Sequence, residues 1–131
     1  MKKASEDKSL FDAVKHDDEL LVRQLLQAGA SPNDRQHDGQ TALMIAARKG
    51  NCGILRILLD SGAHPDPEAL VLAAFENHPR AVRILLDAGI SPSIQIEGRP
   101  LVEALDWAGF KHDEQLAVRQ LLEKAGTRTA D

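Results

Sequence analysis

Histidine, cysteine and arginine are the side chains in this sequence whose types and spacing bear on chemistry. A protein metal site needs several His or Cys at ligand spacing, commonly two to five residues apart within each pair. The histidines are His16, His37, His64, His78 and His112, and none has a second His or a Cys at such a distance. Cys52 is the sole cysteine, so an internal disulfide cannot form and a thiolate zinc set cannot be assembled. Cys52 falls where a helix is expected to begin, a place that can activate a thiol. The preferred reading is a small, partly buried hydrophobe. No phosphate-cradling glycine loop, nucleophile elbow or paired-acid motif occurs. No catalytic residue, cofactor or metal is therefore expected.

Arginine recurs at Arg23, Arg56, Arg83 and Arg119. Such a stripe could face an acidic partner or nucleic acid. The chain carries 16 basic and 20 acidic residues, a net charge of −4, which argues against a nucleic-acid binder. The expected role is structural: long stems cover apolar surface while the heads stay in water. Glu19 stands four residues before Arg23, the spacing of a solvated helix pair. The N-terminus is charged, with no apolar run behind it, and no stretch approaches the ~18–20 apolar residues of a membrane span. With one cysteine, a reducing cytoplasmic setting is the expectation.

Those arginines belong to a recurring phrase. It reads Leu21-Val22-Arg23-Gln24-Leu25-Leu26, then Ile54-Leu55-Arg56-Ile57-Leu58-Leu59. It returns as Ala81-Val82-Arg83-Ile84-Leu85-Leu86 and as Ala117-Val118-Arg119-Gln120-Leu121-Leu122. Apolar residues at i, i+1, i+4 and i+5 make one buried helix stripe with Arg outside it. A glycine follows each copy: Gly29, Gly62, Gly89 and Gly126. Glycine ends a helix in a left-handed turn at low cost, and Pro32, Pro65 and Pro92 reinforce three of the stops. An earlier helix precedes each phrase, marked by Leu10…Ala13-Val14, Leu43…Ala46-Ala47, Leu70…Ala73-Ala74 and Leu101…Ala104-Leu105. Its small alanines let paired helices approach closely. With aromatics at 3% of the chain and no Tyr, the core must be aliphatic. A single hairpin cannot bury its own apolar face, but stacked copies share a continuous core.

Copy two carries a fuller signature: Asp38-Gly39-Gln40-Thr41-Ala42-Leu43-Met44-Ile45-Ala46-Ala47-Arg48-Lys49-Gly50-Asn51, ending Leu58-Leu59-Asp60-Ser61-Gly62-Ala63. This resembles the ankyrin-repeat family, although the family's Thr-Pro-Leu-His becomes Thr41-Ala42-Leu43-Met44. The resemblance implies an all-α solenoid of stacked helical hairpins with short β-hairpin-like fingers. The expected organisation is a charged tail over 1–8 and one domain over 9–131, with repeats near 9–38, 39–66, 67–97 and 98–126. It also implies a non-enzymatic scaffold with a protein partner of unknown identity. Small stand-alone bacterial members that act as immunity or inhibitor proteins give a sharper version. Self-association through end repeats is a further alternative, so the expected state is a monomer with a weak homodimer as its rival.

The copies are uneven. First-helix leucines step by 33, 27 and 31 residues, so the link from copy two to copy three is short by about six. His64-Pro65-Asp66-Pro67 must turn straight into the next helix, with Asp66 as N-cap and Pro67 at the first helical position. One finger is thus deleted, while full fingers are expected near 33–40 and 93–99. Copy four instead carries an insertion near Gly109 to Glu114. Five and six residues after each first-helix Leu lie slots that line the concave face in the family. They hold Lys15 and His16, Arg48 and Lys49, Phe75 and Glu76, and Asp106 and Trp107. Partner binding is assigned to Phe75 and Trp107 as anchors with Arg48, Lys49, Glu76 and Asp106 beside them. The finger residues His37, Asp38 and Gln40 complete the expected polar rim.

Overall fold

The computed structural model describes residues 9–107 and 115–129. Helices come in pairs. The inner members are α1 (Leu10–Lys15), α3 (Ala42–Lys49), α5 (Pro67–Phe75) and α7 (Leu101–Trp107). The outer members are α2 (Glu19–Gln27), α4 (Cys52–Asp60), α6 (Pro79–Asp87) and α8 (Leu116–Thr129). Each inner helix packs on the next inner helix, each outer helix on the next outer one, and the pairs are closed by α1 on α2, α3 on α4, α5 on α6 and α7 on α8. That nearest-neighbour pattern is a two-layer solenoid.

Local chemistry sets the boundaries. Ser9 caps α1 in a reciprocal box with Asp12, Thr41 caps α3, and Asp18 and Asn51 cap α2 and α4 through side-chain oxygens. Gly29, Gly62 and Gly89 all take left-handed φ just beyond α2, α4 and α6. Asp66 caps α5 and Pro67 opens it, as the short link requires. Ser31 and Ser91 each accept the backbone N–H two residues on, which marks them as turn residues.

Two fingers stand on the molecule. The second is a hairpin, β1 (Gln95–Ile96) antiparallel to β2 (Arg99–Pro100). The first is a turn closed by Gln36 N–H to the Gln40 carbonyl at 2.9 Å and a bridge between Arg35 and Thr41. Between α4 and α5 no finger forms. Asn33 braces that bare link, donating to the Gly62 carbonyl at 3.1 Å and accepting from the His64 N–H at 2.8 Å.

The core is the expected aliphatic stripe. Leu43, Leu55, Leu58, Leu70, Leu85, Leu101 and Leu105 are fully buried, and the paired alanines of α3 and α5 sit between them.

Copy four departs from its siblings in two ways. Helix α8 runs through Gly126 to Thr129, so Gly126 does not terminate it as the other three glycines do. Its buried face is also displaced. Gln115, Val118, Arg119, Leu122 and Ala125 face inward and Ala117 is exposed, whereas the equivalent Ile54 and Ala81 are fully buried. The shift amounts to about one residue, or ~100° at 3.6 residues per turn. Arg119 accordingly leaves the solvated stripe: it is buried, its guanidinium reaching the Val102 carbonyl at 3.5 Å. The head expected in water has turned into the α7–α8 contact, while Arg23, Arg56 and Arg83 remain exposed. The insertion near Gly109 to Glu114 lies outside the described residues.

Candidate functional site

The candidate residues on the inner helices are placed by a turn that repeats in copies one to three. After the inner helix comes a left-handed residue, Asp17, Gly50 or Asn77, with φ of 57°, 73° and 59°. The N-cap of the outer helix follows at Asp18, Asn51 or His78. Glycine, asparagine and aspartate are the residues that accept this backbone most readily. Gly50 is constrained twice, since a Cβ there would lie 2.5–2.9 Å from the His78 ring.

The turns of copies one and two are each tied to the copy after them. Lys49 Nζ donates to the Lys15 carbonyl at 2.6 Å, at the C-terminus of α1, and sits 3.3 Å from the Asp17 carboxylate. A cation at that end also meets the negative pole of the helix. Asn51 Nδ2 donates to Asp17 at 3.1 Å, and the His78 ring donates from Nε2 to the Arg48 carbonyl at 2.9 Å. The hydrogen bond from Asn51 is the main reason the Asp17 carboxyl sits below the ordinary aspartate range, helped by Lys49 and His16 and opposed by slight burial.

The inner-helix candidates therefore form one row along the C-terminal ends of α1, α3 and α5, continued by α7. Lys15 and His16 are exposed, with His16 donating from Nδ1 to the Asp12 carbonyl at 2.8 Å. Arg48 is half-buried, and α3 buries everything before it from Ala42 to Ala47. Lys49 is committed to the turn of copy one. Phe75 is half-buried and packs on the core, and Glu76 is exposed. Asp106 and Trp107 close α7, and their side chains lie outside the described part. Charge runs from basic at α1 and α3 to acidic at α5.

The finger candidates stand elsewhere. Fingers enter the inner helices at their N-termini, while the row lies at the C-termini. Helix α3 has 8 residues, which separates the two sets by about 12 Å at 1.5 Å per residue. His37 and Asp38 are exposed at the first fingertip, where the Asp38 carboxylate accepts the Gln40 N–H at 3.0 Å. Gln40 is half-buried, and its side-chain oxygen has no hydrogen-bond partner among the described residues. Arg35 stiffens this finger, donating to the Gly39 carbonyl at 2.7 Å and pairing with Asp66 at 3.1 Å. Asn33, Arg35, Gly50 and His78 shape the surface without having stood out in the sequence. Asp17, Gly50 and Asn77 stand at equal offsets after the first-helix leucines, a signal by which the turn could have been found.

A groove of about 690 Å³ lies on the outer helices, between α2 and α4. Glu19, Arg23, Arg56 and Asp60 line it with both signs of charge, and Arg23 pairs with Glu19 at 3.6 Å. No group of three or more His, Cys, Asp or Glu among the described residues is arranged to hold a metal ion. No helix among them is long and apolar enough to cross a membrane.

Comparison with known proteins agrees with this geometry. A family model described as ankyrin repeats, in three copies, matches residues 10–96. An ankyrin repeat-containing protein of Treponema pallidum is 40% identical over 57 residues, covering 44% of this chain and 19% of that protein. A mitochondrial disaggregase of Bos taurus is 38% identical over 63 residues, 48% of this chain and 9% of its own. A potassium channel of Arabidopsis thaliana is 44% identical over 50 residues, 38% of this chain and 6% of its own. The chain thus spans less than a fifth of each of these relatives. Ankyrin repeats are in general protein–protein interaction modules and typically non-enzymatic. Four helical pairs stacked by nearest-neighbour contacts, with the family model covering copies one to three, establish that this chain belongs to the ankyrin-repeat family.

Proposed function

We propose that this protein is a non-enzymatic binding module that holds one protein partner against the row of inner-helix ends. The observation that carries this reading is the pair Arg48 and Glu76. Arg48 is half-buried and has no ion-pair partner among the described residues, while Glu76 is exposed one copy further along. A half-buried guanidinium with no ion-pair partner among the described residues, next to a turn whose Arg48 carbonyl is fixed by His78, is suited to a complementary carboxylate on a partner, and such pairs set orientation and on-rate. The preformed stack keeps the ordering cost of binding low. Phe75, already packed on the core, contributes its exposed edge beside them, and Asp106 and Trp107 extend the row. Lys49 supports the surface from within copy one. The finger residues His37, Asp38 and Gln40 would make a second, separate contact, reached only by a partner wide enough to span an inner helix. The single cysteine supports a reducing, cytoplasmic setting.

The test is charge reversal. Arg48→Glu and Glu76→Lys would be combined and used as bait in native extract beside wild type and Arg23→Glu, with folding matched by circular dichroism. A protein held by wild type and by Arg23→Glu, but lost from the double variant, supports the reading. Equal retention by all three baits refutes it.

A further inference from the structure

Helix α5 differs from the other inner helices on the side it turns away from the outer layer. Seven of its nine residues are apolar, more than one buried stripe requires. Ala69, Leu70, Ala73 and Ala74 fill that stripe. Glu68, Leu72 and Glu76 stand four residues apart on the opposite side, the two carboxylates exposed and Leu72 half-buried. Lys49 holds after Leu43 the slot that Glu76 holds after Leu70, and its contact with the Lys15 carbonyl shows that this line leans toward the preceding copy. The slot of Leu72 is filled by Asp12 in α1, by Glu103 in α7 and by the fully buried Ile45 in α3. Of these four, Leu72 is the apolar one that reaches the surface. Neither Glu68 nor Glu76 has an ion-pair partner among the described residues.

The N-terminal end of α5 is also open. Fingers stand before α3 and α7, whereas the link into α5 carries none. Two steps of helix packing separate the fingers, about 16–20 Å at 8–10 Å each, and a helix with its side chains is about 10–12 Å across. Exposed charge along this passage is mainly acidic. Asp34 and Asp38 stand on the first finger, Glu68 at the floor and Glu97 on the second finger, against Arg99 and an Arg35 already paired with Asp66.

We propose that one α-helix of the partner lies lengthwise on α5 and leaves between the two fingers, carrying a basic, an apolar and a second basic residue at i, i+4 and i+8. This rests on the inner-helix row being the partner surface. Spacing and charge select the occupant. Glu68 to Glu76 spans eight residues, about 12 Å, with Leu72 midway, and the i, i+4, i+8 line of a second helix has the same rise. Two cations then meet two carboxylates while the apolar side chain covers Leu72, a helix-in-groove contact whose charges fix its register. Further cations on the helix meet Asp38 and Glu97 at the exit. A finger at the start of α5 would stand across that course, and its deletion opens it. The same helix joins the row to the fingertips, which otherwise lie a helix length apart.

Nuclear magnetic resonance titration of the nitrogen-15-labelled full chain tests this with two alanine-based helical peptides. One carries Lys-Ala-Ala-Ala-Leu-Ala-Ala-Ala-Lys, and the other has Glu in place of both Lys. The lysine peptide, at up to about millimolar concentration, should shift the amides of α5, His64 and Asp66, and the glutamate peptide should shift them far less. Leu72→Ala should weaken binding about fivefold. Glu68→Lys combined with Glu76→Lys, with folding checked by circular dichroism, should reverse the preference, so that the glutamate peptide binds better. No shifts with the lysine peptide, equal shifts by both peptides, or an unchanged preference in the double variant each overturn the proposal. If the Arg48→Glu, Glu76→Lys bait still loses its partner in extract while the peptide fails, the row stands and the helix alone falls. If that bait loses nothing, the row itself falls.

Discussion

Gly50 is where backbone geometry and packing meet in a single residue. Its φ of 73° is in the left-handed region, and the His78 ring fills the space beside it. Gly50→Ala should cost about 1–2 kcal/mol for the backbone alone, and more for displacing His78 from the Arg48 carbonyl. Urea unfolding separates the two contributions: adding His78→Ala should relieve the steric part and leave the backbone part. Full relief in the double variant would mean that φ carries no strain. One turn earlier, Asp17 makes a pH-dependent contribution. Its carboxyl is held below the ordinary aspartate range by Asn51 and Lys49. A group whose folded-state pKa is lowered adds stability above its unfolded pKa and loses it as pH falls through the folded value. Wild type should therefore lose slightly more stability on acidification below about pH 4 than Asp17→Asn does, by a small margin because the pair is exposed and screened. Thermal melts between neutral and acid pH check this. These turn residues were hard to single out because Asp, Gly and Asn share no letter. They are equivalent in backbone tolerance, not in chemistry.

Helices show where sequence patterns are trustworthy and where they mislead. Asp66-Pro67 and the glycines after α2, α4 and α6 were legible because each has a local mechanism that acts whatever surrounds it. The buried leucines and alanines of the inner helices were legible because helical spacing leaves one face for them. The orientation of α8 was not. Its phrase differs from those of copies one and three at a single residue each, yet the helix is turned by about a residue, and burial depends on what the neighbours cover. The lone hint was the extra residue between Leu122 and Gly126, together with the longer approach from Ala104. Paired substitutions test the turn. Ala81→Glu buries a carboxylate in α6 and should cost about 3 kcal/mol or more, whereas Ala117→Glu at the matching slot of α8 should change stability by no more than about 0.5 kcal/mol. Comparable losses would put Ala117 back in the core and α8 back in register. The candidate row was half legible for a related reason. The slots after each first-helix leucine do fall along one line, but sequence spacing could not reveal that Lys49 is spent on Lys15 and Asp17, or that the fingers stand a helix length away.

Across the whole molecule, stability is set by neighbours, because each copy touches only the copies beside it. Copies two and three each have a neighbour on both sides, and their leucines are fully buried. Copy four buries two polar side chains, Gln115 just before α8 and Arg119 within it. Neither amide atom of Gln115 has a hydrogen-bond partner among the described residues. An unsatisfied buried polar group costs about 1–3 kcal/mol, and in a solenoid that cost falls on the copy that holds it rather than being shared. Opening should therefore begin at α7 and α8 while α3 to α6 stay closed, giving amide exchange that is fastest in the last pair and slowest in the middle two. Replacing the amide with a hydrocarbon of similar size isolates the cause. Gln115→Leu should stabilise copy four by about 1 kcal/mol, slow exchange in α8, and leave the rates in α3 and α5 unchanged. If exchange in α8 speeds up instead, the amide is making a bond that matters, and the weakness of the last pair has another source.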